Sequence, residues 1–322
     1  MMKRYLFLYV FWGLLLGVSA CGNEDDLVPT GEGARVLSIP DESGRFNELA
    51  YEIYTNTGMP IFVNDTLMEE QRGVDYEGNP IIHYEMFVIG YSIFSQTKPA
   101  SIVLSSDTTA MVKAAGLIRD KVIPRFMPRY KPFCILMTDS LYSIYRAWTA
   151  NRGFLAYGTP EYAHKDMMGV VVGYLSDISK MSEDEQEMWA GRILGTQIVE
   201  EIQSRYADEL SEFYNISLKS GKATWHDAVM YAKLDGTPIT VGYDVDFRNV
   251  GFLEWIWNGK FSATQLVRKY PSTKIDVIGY IAAVYAFDEA KFNEMYRDYP
   301  LCVEKYKLMK AIVAKFESEV DR

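Results

Sequence analysis

The chain has 322 residues, of which 48% are hydrophobic and 14% aromatic, so it can build a buried core and is too apolar to be disordered. Its formal net charge is −10 and its pI about 5.0, with no lysine–arginine block, which excludes an electrostatic footprint for nucleic acid. The length allows one large domain or two ordinary ones.

In chain order, the first residues read as an address. Lys3 and Arg4 precede the apolar stretch Tyr5–Val18, the pattern of a secretory signal. The stretch falls short of the roughly 20 residues that span a membrane as a helix. Val18-Ser19-Ala20-Cys21 resembles the bacterial lipobox. That resemblance makes residues 1–20 a lipoprotein signal peptide and Cys21 the lipidated residue, held at the membrane because each buried CH₂ contributes about 0.8 kcal/mol. Gly22-Asn23-Glu24-Asp25-Asp26 is similar to the surface-export signal of Bacteroidota lipoproteins, and reads also as a solvated tether. Residues 21–45, with Pro29, Gly31, Gly33 and Pro40, are expected to form a flexible leash. If Cys21 is lipidated, Cys134 and Cys302 remain, either paired or buried as apolar residues.

Phe46–Thr57 has the spacing of a short amphipathic helix, with Phe46, Leu49, Ile53 and Tyr54 on one side and Gly58-Met59-Pro60 as its stop. Ile61-Phe62-Val63 begins an extended segment, and the run from Ile81 is readable as strand or helix. Asp107 is placed to cap a helix with Met111, Ala115, Ile118 and Val122 on one face, closed by Pro124 and Pro128. Phe133–Thr138 and Gly169–Leu175 have strand character.

The segment Ser182–Tyr214 predicts one long helix. Ser182 and Glu185 form an S-x-x-E capping box, with Glu183 and Asp184 at the favourable end of the dipole. Trp189, Ile193, Ile198, Ile202, Tyr206, Leu210 and Phe213 recur at helical spacing. Beyond it, Ile239–Tyr243 is a further strand prediction. Ala263–Lys269, Ile275–Phe287, Glu289–Tyr296 and a last segment with Leu308, Ile312 and Phe316 are predicted helices. Strands early and helices late argue for an α+β fold, with a small N-terminal sheet, a mostly helical C-terminal half, and residues 46–322 as a single domain.

This order of elements resembles the zinc-binding metallopeptidase lipoproteins of gut Bacteroidota. The local likeness lies in Phe46-Asn47-Glu48-Leu49 through Met59-Pro60-Ile61, and in Val122–Tyr130 followed by Phe133-Cys134-Ile135-Leu136. It continues in Gly279-Tyr280-Ile281 and Phe292-Asn293-Glu294-Met295. The resemblance implies a zincin-type domain whose long helix would carry H-E-x-x-H, two histidines for zinc and a glutamate as general base. Here the corresponding positions are read as Gly195, Thr196 and Val199, none of which can do that work. A third ligand would fall near Glu289 or Ala290. His83, His164 and His226 are the only histidines, and none has a partner at zinc-ligand spacing.

Other chemistry finds no starting point. Glu200 and Glu201 are adjacent on a helix and diverge by about 100°, while Glu201 and Arg205 stand at ion-pair spacing. No nucleophile elbow, P-loop or dinucleotide fingerprint occurs. Trp255 and Trp257, two apart on an extended segment, are either a ligand platform or core. The expectation is a lipid-anchored outer-membrane protein, facing outward, with a catalytically degenerate metallopeptidase-like domain and no cofactor. It would bind peptide or glycan alongside a nutrient-uptake complex. The alternatives are an active hydrolase with a non-standard site, which would bring zinc back, and a structural surface subunit.

Overall fold

A computed structural model describes residues 37, 39, 42–89, 100–149, 153–221, 224–260 and 262–320, without the side chains of 144–149, 153–158, 257 and 258. The signal segment, Cys21 and most of the leash lie outside the described residues. Ser38–Arg322 make one compact unit, so the compact part begins ahead of residue 46, and Ile39 is already buried in it.

The elements are, in order, α1 (Arg45–Thr57), β1 (Ile61–Phe62), the hairpin β2 (Thr66–Val74) and β3 (Pro80–Met86), β4 (Ala100–Val103) and α2 (Thr108–Leu117). Next come β5 (Ile135–Met137), β6 (Ser140–Thr149), β7 (Gly153–Pro160), β8 (Ala163–Lys165) and β9 (Val170–Val172). The helices α3 (Glu183–Arg205) and α4 (Ala207–Leu218) follow, then β10 (Val229–Lys233), β11 (Trp257–Lys260) and β12 (Gln265–Lys269). The described chain closes with α5 (Thr273–Ala286), α6 (Glu289–Met295) and α7 (Pro300–Val320). Helix and strand are thus mixed as an α+β chain requires.

The sheet that matters for the site has the order β1-β5-β9-β8. β1, β5 and β9 are parallel and β8 runs antiparallel at its edge. Ile135, Leu136, Met137, Val170, Val171 and Val172 are all fully buried. That is why these short runs are apolar throughout rather than alternating. α3 packs beside this sheet, and the Trp189 indole donates to the Gly173 carbonyl at 3.0 Å, fixing the helix to the end of β9.

Sequence reading and structure agree at several ends. The Ser182–Glu185 capping box is formed in both directions, and Asp107 accepts from Thr109 N and Ala110 N. Gly58 closes α1 in the left-handed region at φ 66°. The whole stripe from Trp189 to Phe213 is buried. Cys134 and Cys302 are both free and buried, not paired.

Four expectations are corrected. The helix over 182–214 is two helices: the chain bends at Tyr206, whose ring packs edge-on to Phe316 and whose hydroxyl donates to Glu319. No glycine or proline announces this bend, because tertiary packing against α7 causes it. Ala263–Lys269 is not helical; Gln265–Lys269 pairs on both sides, with β10 and β11. A run this short has no period long enough to decide. Ile239–Tyr243 forms turns instead of a strand, with Ile239 52% and Val241 84% exposed, and the strand of that region lies upstream in β10. Sheet structure also exceeds one small N-terminal sheet: the described residues form four sheets, one of them in the C-terminal half.

Candidate functional site

α3 and α5 cross closely, and two glycines set the approach. A Cβ on Gly191 would lie 2.5 Å from the Ala282 carbonyl oxygen, and one on Gly195 would lie 3.3 Å from that of Ile278. Gly195 is therefore a packing residue facing α5. Val199 is fully buried in the cluster that includes Val277, Tyr280 and Ile281. A histidine at 195 would point into that contact.

The face of α3 that looks into open space is turned by about 100° from 195, onto Arg192, Thr196 and Glu200, at successive turns. These three line one wall of a cleft of about 250 Å³. β8 with its lead-in, Pro160–Lys165, also lines it. Glu254, Trp255 and Ile256 close one side, and Lys274, Ile275 and Ile278 at the start of α5 close another.

At the cleft centre the Arg192 guanidinium donates to Glu254 Oε2 at 2.8 Å. It also stacks 4.0 Å from the Tyr162 ring centroid. Tyr174 stacks on Tyr162 at 4.3 Å, so both faces of that phenol ring are occupied by protein. Tyr174 holds φ 71°, a left-handed backbone uncommon for a bulky side chain. Strain of this kind costs of order 1–3 kcal/mol and collects at functional sites. Burial pushes both phenols up. Burial alone would lower the Arg192 guanidinium, but Glu254 and the two phenols outweigh it, so the cation persists. Among the described residues the buried Arg192 Nε has no partner.

The remaining polar groups of the cleft are held by one another. Thr196 Oγ1 donates to the Arg192 carbonyl at 2.8 Å. Glu200 accepts from Lys274 at 3.0 Å, which together with the lysine charge holds its carboxyl below the usual range. His164 stands 3.3 Å from Glu161. A general acid needs a raised carboxyl pKa, and Glu200 is moved the other way.

This donor set does not fit zinc. The α3 face presents a buried cation, a hydroxyl engaged with backbone and a carboxylate paired to lysine, whereas zinc takes neutral imidazole, thiolate or free carboxylate. Among the described residues no group of three or more His, Cys, Asp and Glu is arranged to hold a metal. His226 is bound to Asp276 at 2.8 Å, and His83 lies on β3. Glu289, read as near a third ligand, pairs with Lys310 at 3.0 Å. The structure brings none of these to the cleft.

Trp255 is half-buried and lines the cleft, but it packs against Phe247 at 5.5 Å and Tyr270 at 4.5 Å. The Trp257 side chain lies outside the described residues, and its backbone opens β11. Glu201 and Arg205 form the expected surface pair at 2.6 Å. Sequence reasoning missed Arg192, Glu254, Tyr162 and Tyr174. An arginine within the apolar segment from Trp189 to Leu194 was the one available signal, since a buried cation requires a partner. Comparison of the chain with protein-family models, with curated proteins and with solved structures finds no match.

Proposed function

We propose that this protein is a lipid-anchored, outward-facing binding protein of the outer membrane whose metallopeptidase-like α+β domain holds peptide segments in the α3–β8 cleft without cleaving them. The observation that carries this reading is the position of β8. Among the described residues it is the last strand of its sheet, paired only with β9, and all three of its residues line the cleft. A strand edge offers backbone donors and acceptors to an extended chain, and adjacent pockets select its side chains. Peptide is favoured over glycan because Tyr162 has both faces covered and Trp255 is packed against Phe247 and Tyr270, which leaves little open aromatic surface for a sugar ring. Anchoring at Cys21 and service to a nutrient-uptake complex belong to the same proposal and rest on the lipobox and export-signal resemblances.

The test is affinity selection from a degenerate hexapeptide library, with bound peptides identified by mass. The reading expects intact peptides enriched by the wild-type soluble domain and not by Ile275→Trp, which fills the cleft wall. Equal recovery by both proteins, or recovery of shortened products, contradicts it.

A further inference from the structure

A second pocket of about 160 Å³ lies beyond the end of β8 and shares Lys165 with the cleft. Gln197 of α3 lines it. This residue is only 4% exposed, yet among the described residues its buried Nε2 has no hydrogen-bond partner. An unsatisfied buried amide NH₂ is costly unless an acceptor reaches it. Around it stand Arg129, Lys131 and Lys165. Among the described residues none of the three makes an ion pair, in a chain whose net charge is −10. Lys131 Nζ donates to the Thr57 carbonyl at 2.7 Å and Lys165 Nζ to the Gln197 carbonyl at 3.2 Å. Those bonds fix the two ammonium groups in place, and each keeps further N–H donors. Asp166, the carboxylate on the rim, accepts from Met167 N. Phe133 and Met167 also line the pocket and are 78% and 81% exposed, unusual for side chains of their size.

Two anchored ammonium groups, a guanidinium beside them, a buried amide donor and an apolar rim match one chemical group: a carboxylate on a peptide with an apolar neighbour. We propose that this pocket is a carboxylate subsite continuous with the β8 cleft. It rests on the peptide-binding reading and names the ligand class. A C-terminal carboxylate reaches the pocket when the peptide runs in the same direction as β8, which ends at Lys165. An aspartate or glutamate side chain reaches it from either direction.

The experiment repeats the selection with two degenerate hexapeptide libraries, one with free C-termini and one amidated. A charge-assisted hydrogen bond is worth enough to change affinity about tenfold or more. Enrichment of the free-acid library by that factor supports a C-terminal carboxylate. Enrichment of aspartate or glutamate within the amidated library supports the side-chain source. Arg129→Met should reduce the carboxylate preference severalfold while amidated, uncharged peptides bind as before. Arg129 is exposed, and its replacement leaves the fold intact. Equal recovery from both libraries with no acidic preference overturns the subsite and leaves the cleft reading standing. Recovery from neither library removes both.

Discussion

Two regions of this molecule bury charge, and they do so to different ends. In the first, Lys305 of α7 is fully enclosed, with its Nζ 2.5 Å from Asp276, which also accepts from His226 at 2.8 Å. Phe213, Phe252 and Tyr280 surround the ammonium at 4.2 to 4.9 Å. Lys305, Asp276 and His226 are all paired, and none of them lines the cleft or the second pocket. In the second, Arg192 and Glu254 are paired at 2.8 Å, but the pair lines an open cleft and Arg192 Nε has no partner among the described residues. A buried ion pair alone is weak evidence of a site. Open space beside it, and donors left unsatisfied, are what distinguish a place that takes a ligand from a clamp that joins helices.

The contrast can be broken at either region. The largest effect is expected at the sealed cluster: Lys305→Met removes the cation facing buried Asp276, leaving it His226, and should cost roughly 3–5 kcal/mol of stability in urea unfolding, with peptide selection by the folded fraction unchanged. Gly191→Ala comes next, because its Cβ meets backbone of Ala282 at 2.5 Å; overpacking of this kind costs about 1–3 kcal/mol. Arg192→Met should cost less, about 1–2 kcal/mol, because Glu254 is 21% exposed and regains water from the cleft. Its signature is a loss of peptide selection out of proportion to the change in stability. If Lys305→Met abolished selection in protein shown to be folded while Arg192→Met did not, the two regions would have been assigned the wrong way round.

The smallest effect is expected at Glu200→Gln, below about 1 kcal/mol, since the pair with Lys274 is largely exposed. Its sign with pH is defined. The hydrogen bond from Lys274 holds the folded carboxyl below its ordinary value of 4.5. The stabilisation is therefore present above pH 4.5 and is lost as the pH falls through the folded value. The variant should show a slightly shallower loss of stability in acid.

How far the sequence led depended on the range of the interactions involved. Capping at Ser182 and Asp107, the stop at Gly58 and the apolar stripe of α3 and α4 are local, and all were legible. The bend at Tyr206 was not, because its cause is Phe316 and Glu319 in a helix more than a hundred residues away. Gly195 looked like a vacant ligand position. Only the crossing of α5 reveals it as a contact residue and moves the cleft face to Arg192, Thr196 and Glu200. Glu254, Tyr162 and Tyr174 carry no periodic or motif signal, and they converge with Arg192 only through the positions of β8, β9 and the segment before β11.

The central claim is that a peptide lies along β8 and leaves uncut. Hydrogen exchange of residues 160–167, measured with and without a saturating concentration of the peptide most enriched in the selection, tests it most directly. The account predicts slowed exchange confined to this stretch and its neighbours in α3 and α5, with the peptide recovered at its original mass. Unchanged exchange at 160–167 under saturation, or a peptide recovered in pieces, would contradict it.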